Sequence, residues 1–234
     1  MKGATATRSS PADVTDVTPP LETSEPPVLE QEPDAAAVVF GTTIDRARSF
    51  TNELAARGEE LGLIGPLELP RLWTRHILNS AIVAPLLQDG GRVGDVGSGA
   101  GLPGLVLAIA RPDVRMVLIE PMERRVDWLR SEASRLALTN VEVVRGRAED
   151  VSDSLVLDQV TARAVSALSR LIPITVPLVR DGGQLILMKG ARVDAEVESA
   201  RKVILRHHLS DVEVLELGAG VVEEITRVFR ATVD

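Results

Sequence analysis

Hydrophobic positions follow two different rhythms along the chain. Over residues 34–88 they recur at threes and fours, as on one face of a helix. This spacing predicts a helix over residues 34–61 and a second helical stretch over 67–87, separated by Gly62, Gly65 and Pro66. We therefore expect residues 34–88 to form a helical N-terminal cap.

From residue 92 onward, short apolar segments alternate with helical ones, which is typical of an α/β domain with a parallel sheet. The predicted strands are residues 92–96, 114–119, 141–145, 158–164, 184–188, 212–217 and 225–232. The predicted helices are residues 103–110, 122–138, 168–179 and 193–206. The last two strands follow each other without a helix. A mostly parallel sheet with an antiparallel last strand is the Rossmann-like fold of class I methyltransferases, and we assign residues 89–234 to it.

The first 33 residues have no periodic apolar pattern and are rich in Pro, Thr, Ser and Glu. Such a segment buries too little apolar surface to offset the entropy lost on ordering, so we expect a disordered acidic tail.

Composition excludes several classes of function. The chain has no cysteine, which removes disulfides, thiolate metal sites and thiolate nucleophiles. The three histidines lack metal-ligand spacing, so we expect no metal. A net charge of −8 argues against nonspecific coating of nucleic acid. No apolar run is long enough for a bilayer and no signal peptide is evident, so we expect a cytoplasmic protein without membrane contact, and a monomer.

A glycine-rich loop over residues 95–104 follows the first strand of the sheet and opens a helix. Glycines allow the backbone to turn tightly and to approach a ligand closely. The spacing from Gly97 puts Leu102 where a dinucleotide-binding loop has its third glycine. Asp95 precedes the loop, where a carboxylate suits a cationic ligand and would repel a pyrophosphate. The loop therefore favours S-adenosylmethionine over NAD, with Gly97, Gly99 and Leu102 at the cofactor.

Two further turns are expected to complete the cofactor site. Glu120 ends the second strand, where a carboxylate can accept both ribose hydroxyls. Ala148 and Glu149 follow the third strand, where the adenine ring lies in this fold. An exposed turn with no ligand contact is the alternative for Glu149.

Motifs beyond the cofactor loop resemble the bacterial glucose-inhibited division protein B family, whose members are small-subunit rRNA methyltransferases that modify N7 of a guanine. The matching segments, in the family's order, are Arg75-His76-Ile77-Leu78-Asn79-Ser80, Asp95 to Gly104, Arg111-Pro112, Arg124-Arg125-Val126, Trp128-Leu129, Ala162-Arg163-Ala164 and Met188-Lys189-Gly190. The family's Asn-Leu-Thr segment before the Arg-His motif is replaced here by Gly62 to Pro70.

The resemblance implies S-adenosylmethionine as cofactor and 16S rRNA, or an assembling small ribosomal subunit, as partner. It implies cofactor contacts at Gly97, Leu102, Ala148, Glu149 and Arg163, and catalytic or RNA-facing roles for His76, Arg163 and Lys189. From the residues alone, the alternatives are that Arg163 pairs with a structural carboxylate such as Asp95 or Glu120 and that Lys189 ends a strand in solvent. Without the resemblance, His76 is better interpreted as a buried histidine whose ring nitrogens are hydrogen-bonded in the core.

Three other functions remain open at this point: a methyltransferase for tRNA or a small molecule, an NAD-dependent oxidoreductase, and a non-catalytic module that binds ribosomal particles. Guanine N7 has a lone pair and no proton, so its methylation needs no general base, and no catalytic base motif is evident in the chain. The segment after the fourth strand, residues 162–166, lacks the proline and aromatic residues typical of exocyclic-amine methylation.

Overall fold

The structure is a computed structural model that describes residues 1, 3, 28–222 and 224–234 of the 234-residue chain. The predicted disordered tail, residues 1–33, falls mostly outside the described residues. Within the described part of the chain, no helix is both long and apolar enough to cross a membrane.

The centre of the molecule is a seven-stranded sheet in the order β3-β2-β1-β4-β5-β7-β6. Neighbours among β1 to β5 are parallel, whereas β7 runs antiparallel to both β5 and β6. The fold class predicted from the sequence is therefore confirmed. The strands are β1 Arg92–Val96, β2 Arg115–Glu120, β3 Val141–Arg145, β4 Leu157–Arg163, β5 Val179–Lys189, β6 Leu209–Leu217 and β7 Thr226–Val233.

Among the described residues, eight α-helical segments accompany the sheet. They are α1 Asp34–Phe40, α2 Ile44–Arg57, α3 Asn79–Ala81, α4 Gly104–Ala110, α5 Glu123–Arg135, α6 Ala148–Val151, α7 Leu168–Thr175 and α8 Val193–Arg206. The apolar residues of the sheet and helices form two buried clusters. One contains the cap residues together with α4 and part of α5, and the other contains α7 and α8.

The cap differs from the two long helices that the sequence predicts. The first ends at Phe40, because Gly41 adopts a positive φ of 50°, and resumes at Ile44 after a short 3₁₀ turn. The second stretch is a series of short pieces: 3₁₀ turns at Leu69–Arg71 and Ala84–Leu86 enclose a π-helix at Leu72–Leu78 and then α3. Hydrophobic spacing does not distinguish these helix types, since all of them repeat every three to five residues.

The predicted boundary between the third predicted helix of the sheet domain and the fifth strand was also wrong. The sequence predicts a helix to residue 179 and a strand from 184, but α7 ends at Thr175 and β5 begins at Val179. Pro173 and Pro177 lack the N–H groups that a continuing helix needs. The early part of β5 contains Gly182 at a positive φ and therefore gives a weak strand signal.

Strands β2 and β3 lie on one side of β1, and β4 and β5 lie on the other, so the strand order reverses between the parallel neighbours β1 and β4. In open α/β sheets, ligands bind outside the carboxyl ends of the strands at such a switch point. Asp95, Glu120, Arg163 and Lys189 all lie at or near the carboxyl ends of their strands. The topology thus collects the predicted site residues at one edge.

Candidate active site at the carboxyl edge of the sheet

The glycine loop turns directly out of β1 toward β2. Gly97, Gly99 and Gly101 all have positive φ angles, of 72°, 55° and 91°. A Cβ added to Gly97 would lie 3.0 Å from a methyl carbon of Val165, so the loop packs closely against the segment after β4. These backbone conformations favour glycine, which explains why glycines occupy these positions of the loop.

Asp95 is fully buried beneath the loop. Its Oδ2 accepts a hydrogen bond from the Gly104 N–H at 3.0 Å, while Oδ1 is buried with no hydrogen-bond partner among the described residues. Burial raises the pKa of Asp95 to about 7, against the hydrogen bond from Gly104. A buried acceptor of this kind is suited to a cationic ligand group that brings its own N–H donors.

Glu120 ties the glycine loop to the end of β2. One carboxylate oxygen accepts from the Gly99 N–H at 2.9 Å, and the other accepts from the Met122 N–H at 3.0 Å. The side chain is 2% exposed, and the nearest cation, Arg125, is 4.0 Å away. Each carboxylate oxygen has two lone pairs, so both retain capacity for one hydroxyl donor.

The other predicted cofactor residues flank this edge. Leu102 is half-buried in the loop. Ala148 is buried as the first residue of α6, immediately after β3, whereas Glu149 is exposed. An exposed Glu149 is compatible with either of the two expectations for that residue, a cofactor contact or a solvated turn.

One contact of the loop was missed from the sequence. The indole N–H of Trp128, on α5, donates to the Ala100 carbonyl at 3.0 Å and holds the far side of the glycine loop. Both tryptophans, Trp73 and Trp128, are buried. From the sequence, the hydrogen bond to Ala100 could have been anticipated only from the general tendency of a buried indole N–H to find an acceptor.

Arg163, at the end of β4, points into the cap and not toward a carboxylate. Its two terminal nitrogens lie 3.0 Å from the Arg75 carbonyl, 3.2 Å from the Ser80 hydroxyl and 3.5 Å from the His76 carbonyl. Burial lowers the pKa of Arg163 to about 10, so it stays protonated at neutral pH. No hydrogen bond joins it to Asp95 or Glu120 among the described contacts. The residue that follows, Ala164, has a φ of 55°.

His76 lies between Arg163 and a glutamate of the cap. Its Nδ1 is 2.9 Å from a terminal nitrogen of Arg163, and its Nε2 is 2.6 Å from Glu68 Oε2. Burial, and then the positive charge of Arg163, lower the pKa of His76 below its ordinary value. The structure thus brings two of the three predicted catalytic residues into contact, and it adds Glu68, which sequence reasoning missed.

Lys189, at the end of β5, is largely buried, with 9% of its side chain exposed. Its ammonium donates to the Ser166 carbonyl at 2.8 Å and pairs with Glu196 of α8 at 2.7 Å. Glu196 also accepts from the Leu168 N–H, at 3.1 Å. Lys189 therefore holds the segment after β4 against α8, while one side of it borders a cleft.

This cleft, with a volume of about 730 Å³, opens beside β4 and β5. It is bounded by the cap, by the ends of both strands and by the start of β7. Its charged lining residues are Arg75, Arg163, Lys189, Glu196, Glu224 and Arg227. Four cations against two carboxylates give it a positive balance in a chain of net charge −8. Its lining includes Arg163 and Lys189 but not the glycine loop, which approaches the segment after β4 through Gly97 and Val165.

Comparison with known proteins gives a family match over most of the chain. The family model described as rRNA small subunit methyltransferase G (GidB) matches residues 43–226. This match spans the cap from α2 onward, the glycine loop, and strands β4 and β5 beside the cleft.

Curated relatives carry the same name. The ribosomal RNA small subunit methyltransferase G of Clavibacter sepedonicus is 65% identical over 205 residues, which cover 88% of this chain and 97% of the relative. The protein of that name from Leifsonia xyli is 64% identical over 205 residues, covering 88% and 98% of the two chains. The one from Thermobifida fusca is 48% identical over 200 residues, covering 86% and 84%.

Solved structures support the fold independently. The predicted O-methyltransferase Atu636 of Agrobacterium tumefaciens superposes with a TM-score of 0.53 at 19% identity, covering 66% of this chain and 80% of that one. Aeropyrum pernix fibrillarin, in complex with natively bound S-adenosyl-L-methionine, has a TM-score of 0.52 at 16% identity, covering 68% and 75%. At these identities the likeness concerns the fold alone.

Proposed function

The chain belongs to the rRNA small subunit methyltransferase G family and is an S-adenosylmethionine-dependent rRNA methyltransferase, and we propose that its acceptor is N7 of a guanine in 16S rRNA. The observation that carries this proposal is the pair of adjoining sites at the sheet edge. One is an acidic glycine cradle and the other is a cleft of positive balance lined by Arg163, which lies two residues before the Val165 side chain that packs close to Gly97.

The cradle fits the cofactor on its own chemistry. The free Oδ1 of Asp95 is an acceptor placed for an ammonium group, and the positive-φ glycines leave room for a ligand to approach the backbone. Glu120 would hold the ribose hydroxyls, with Gly97, Gly99 and Leu102 along the methionine side and Ala148 and Glu149 at the adenine. When bound, S-adenosylmethionine supplies an electrophilic methyl group.

The cleft fits an RNA acceptor. Arg75 and Arg227 are part-exposed cations that suit phosphate oxygens, since guanidinium groups bind phosphate in a bidentate manner. Lys189 and Arg163 line the cleft, and we assign both as donors to guanine O6 beside the reacting N7.

The chemical demands of N7 methylation match what these residues offer. Guanine N7 attacks with its lone pair and carries no proton, so the protein supplies alignment and no general base. The positive charge that moves onto the purine is accommodated best when cations contact O6 and phosphate and do not stack on the ring. In this assignment Arg163 and Lys189 act as direct contacts and His76 acts by orienting Arg163. As the bond from N7 to the methyl carbon forms, the methyl–sulfur bond breaks and S-adenosylhomocysteine would leave as a neutral thioether, so this assignment gives a metal no role.

The test is methylation of defined acceptors. Small ribosomal subunits from cells that lack the gene are incubated with the purified protein and labelled S-adenosylmethionine, and 16S rRNA is mapped by mass spectrometry. We expect label on a single guanine, at N7. Free 16S rRNA, tRNA and a small-molecule fraction are parallel acceptors. Label in tRNA or in the small-molecule fraction alone would replace the proposal by its main alternative. We further propose that the enzyme works in the cytoplasm as a monomer.

A further inference from the structure

Glu68 lies in the cap, just before the 3₁₀ turn that leads into the π-helix. It is half-buried, and its carboxylate has two hydrogen-bond partners: Arg71 at 2.6 Å from Oε1 and 3.0 Å from Oε2, and His76 Nε2 at 2.6 Å from Oε2. Arg75 Nε lies farther away, 3.9 Å from Oε2. Burial opposes its ionisation, but the hydrogen bonds from Arg71 and His76 outweigh burial and hold the pKa of Glu68 below its ordinary value. The carboxylate is therefore an anion that accepts from the imidazole.

The proton positions on His76 follow from its neighbours. Arginine has N–H donors and no acceptor, so the 2.9 Å contact between Arg163 and Nδ1 requires Nδ1 to be the acceptor. The ring proton is then on Nε2, where it is donated to Glu68. Both ring nitrogens are engaged, and the imidazole is neutral in this arrangement.

The same imidazole completes the anchoring of Arg163. Four acceptors engage the two terminal nitrogens of the guanidinium: the Arg75 and His76 carbonyls, the Ser80 hydroxyl and His76 Nδ1. Only the Nε–H is left without one of these partners. A side chain with this many fixed donors has one orientation, so the direction of the remaining Nε–H is set by the cap.

We propose that Glu68 is a positioning residue for methyl transfer: by holding the proton of His76 on Nε2, it keeps Nδ1 an acceptor and so fixes the Arg163 guanidinium at the cleft. The proposal rests on the proposed function only for the role of Arg163 toward the acceptor guanine. The Glu68–His76–Arg163 relay is a property of the folded protein by itself.

Loss of the carboxylate has a defined consequence. Without an acceptor at Nε2, the imidazole has no reason to keep its proton there. The other tautomer would place an Nδ1–H against an arginine N–H at 2.9 Å, two donors facing each other. Arg163 would then lose one of its four acceptors, and the remaining three would hold its orientation less tightly. Arg71, Arg75, Asp95 and Glu224 are the other charged groups around the relay.

Two substitutions separate the hydrogen bond from the charge. Glu68→Gln and Glu68→Leu both remove the negative charge, but only glutamine keeps an oxygen that can accept from Nε2. Arg71→Leu is the matched control, since it removes the other partner of Glu68 and leaves the His76 contact in place. Melting temperature and S-adenosylmethionine affinity report whether each full-length variant is folded.

The first measurement is the ring ¹⁵N NMR spectrum, which has only three histidines to assign. We expect the Nε2–H tautomer of His76 in the wild type, Glu68→Gln and Arg71→Leu, and a mixture or the Nδ1–H tautomer in Glu68→Leu. A wild-type protein with its His76 proton on Nδ1 overturns the proposal without any variant. An unchanged tautomer in Glu68→Leu overturns it as well.

The second measurement is single-turnover methyl transfer to small ribosomal subunits. We expect the single-turnover rate of Glu68→Leu to fall on the order of tenfold or more, with little change in its affinity for the subunit. Glu68→Gln and Arg71→Leu should stay near the wild-type rate. Equal losses of rate in Glu68→Leu and Arg71→Leu would assign Glu68 a structural role only and overturn the proposal. Equal losses of rate in Glu68→Leu and Glu68→Gln would assign the effect to the charge of Glu68 and overturn it as well. A wild-type protein that leaves the subunit unmethylated contradicts the proposed acceptor, whereas the NMR spectrum, recorded without RNA, still decides the relay.

Discussion

The two halves of the site are built in different ways. In the cofactor cradle the partners are near in sequence: Asp95 bonds Gly104 nine positions away, and Glu120 bonds Gly99 across 21 positions. In the acceptor cleft the partners are far apart: Arg163 and His76 are separated by 87 positions, and Arg75 and Glu224 by 149. The cradle is buried, whereas the cleft is open.

This difference shows what each half requires. The cradle is made by one strand, one loop and the end of the neighbouring strand, and such a unit has a recognisable local pattern. The cleft is made where the cap, two strand ends and the final hairpin meet, so it depends on tertiary packing of segments without a common motif. Substitutions in the two halves should therefore have separable effects on cofactor binding and on methyl transfer.

The largest effect is expected from Arg163→Lys, at the boundary between the halves. Lysine keeps a charge, but it cannot present the planar donors that reach the Arg75 carbonyl, Ser80 and His76 together. We expect methyl transfer to fall on the order of a hundredfold in single-turnover assays. Arg180→Lys, at a surface pair with Asp158, is the control. A wild-type rate of methyl transfer in Arg163→Lys would show that the planar arrangement of guanidinium donors is not required.

The next effect tests the packing of the cradle. A Cβ at Gly104 would lie 2.3 Å from a methyl of Leu118 and 2.5 Å from Asp95 Oδ2, so the first turn of α4 would have to shift. We expect Gly104→Ala to lower the free energy of unfolding by about 1–3 kcal/mol, measured by denaturant titration. Gly65→Ala is the control, because its Cβ would meet only Glu68, at 3.8 Å. Equal stability of both variants would contradict the close approach.

A smaller effect, confined to cofactor binding, is expected from Glu120→Ala. The carboxylate is the proposed acceptor for the ribose hydroxyls, and hydrogen bonds to charged groups contribute roughly 1.5–3 kcal/mol. We expect S-adenosylmethionine affinity to fall on the order of tenfold or more in calorimetry. Glu123→Ala, at an exposed pair with Arg145, should leave the affinity unchanged. An unaltered affinity in Glu120→Ala would reject the ribose assignment.

The smallest effect is a pH dependence of cofactor binding. Because the pKa of Asp95 is about 7, its ionised form increases from pH 6 to pH 7.5, and an ammonium ligand binds that form better. We expect S-adenosylmethionine affinity to rise roughly fivefold over this range and to level off as the ligand's own amino group loses its proton near pH 8. Asp95→Asn keeps an acceptor for Gly104 and should remove the dependence. If the affinity of Asp95→Asn changed with pH as much as that of the wild type, the titrating group would be a residue other than Asp95.

The same pKa fixes the sign of a stability effect. Asp95 binds a proton more tightly in the folded protein than in the unfolded chain, whose pKa has the ordinary value of 3.8. Its contribution to the free energy of unfolding is therefore complete below that value and is lost as the pH rises through about 7.

Much of the fold was predictable because hydrophobic periodicity reports directly on the sheet and its crossover helices. Strands β1 and β3 and helix α8 have the predicted boundaries, and the terminal hairpin has its expected antiparallel strand. The cap was predicted less well. Gly41 interrupts its first helix, and the stretch around the Arg-His motif is π-helical, which a spacing of threes and fours does not reveal.

The sequence by itself determined the class of enzyme and the cradle, since Asp95, the glycines and Glu120 act through backbone turns and strand ends that local pattern specifies. It also singled out His76, Arg163 and Lys189, but their assigned roles remain proposals. Only the tertiary structure decided how these three are held: Arg163 in the cap, His76 on Glu68, and Lys189 against Glu196. The physical reason is that hydrogen bonds between side chains distant in sequence depend on how cap, sheet and helices pack, and no local pattern encodes that packing.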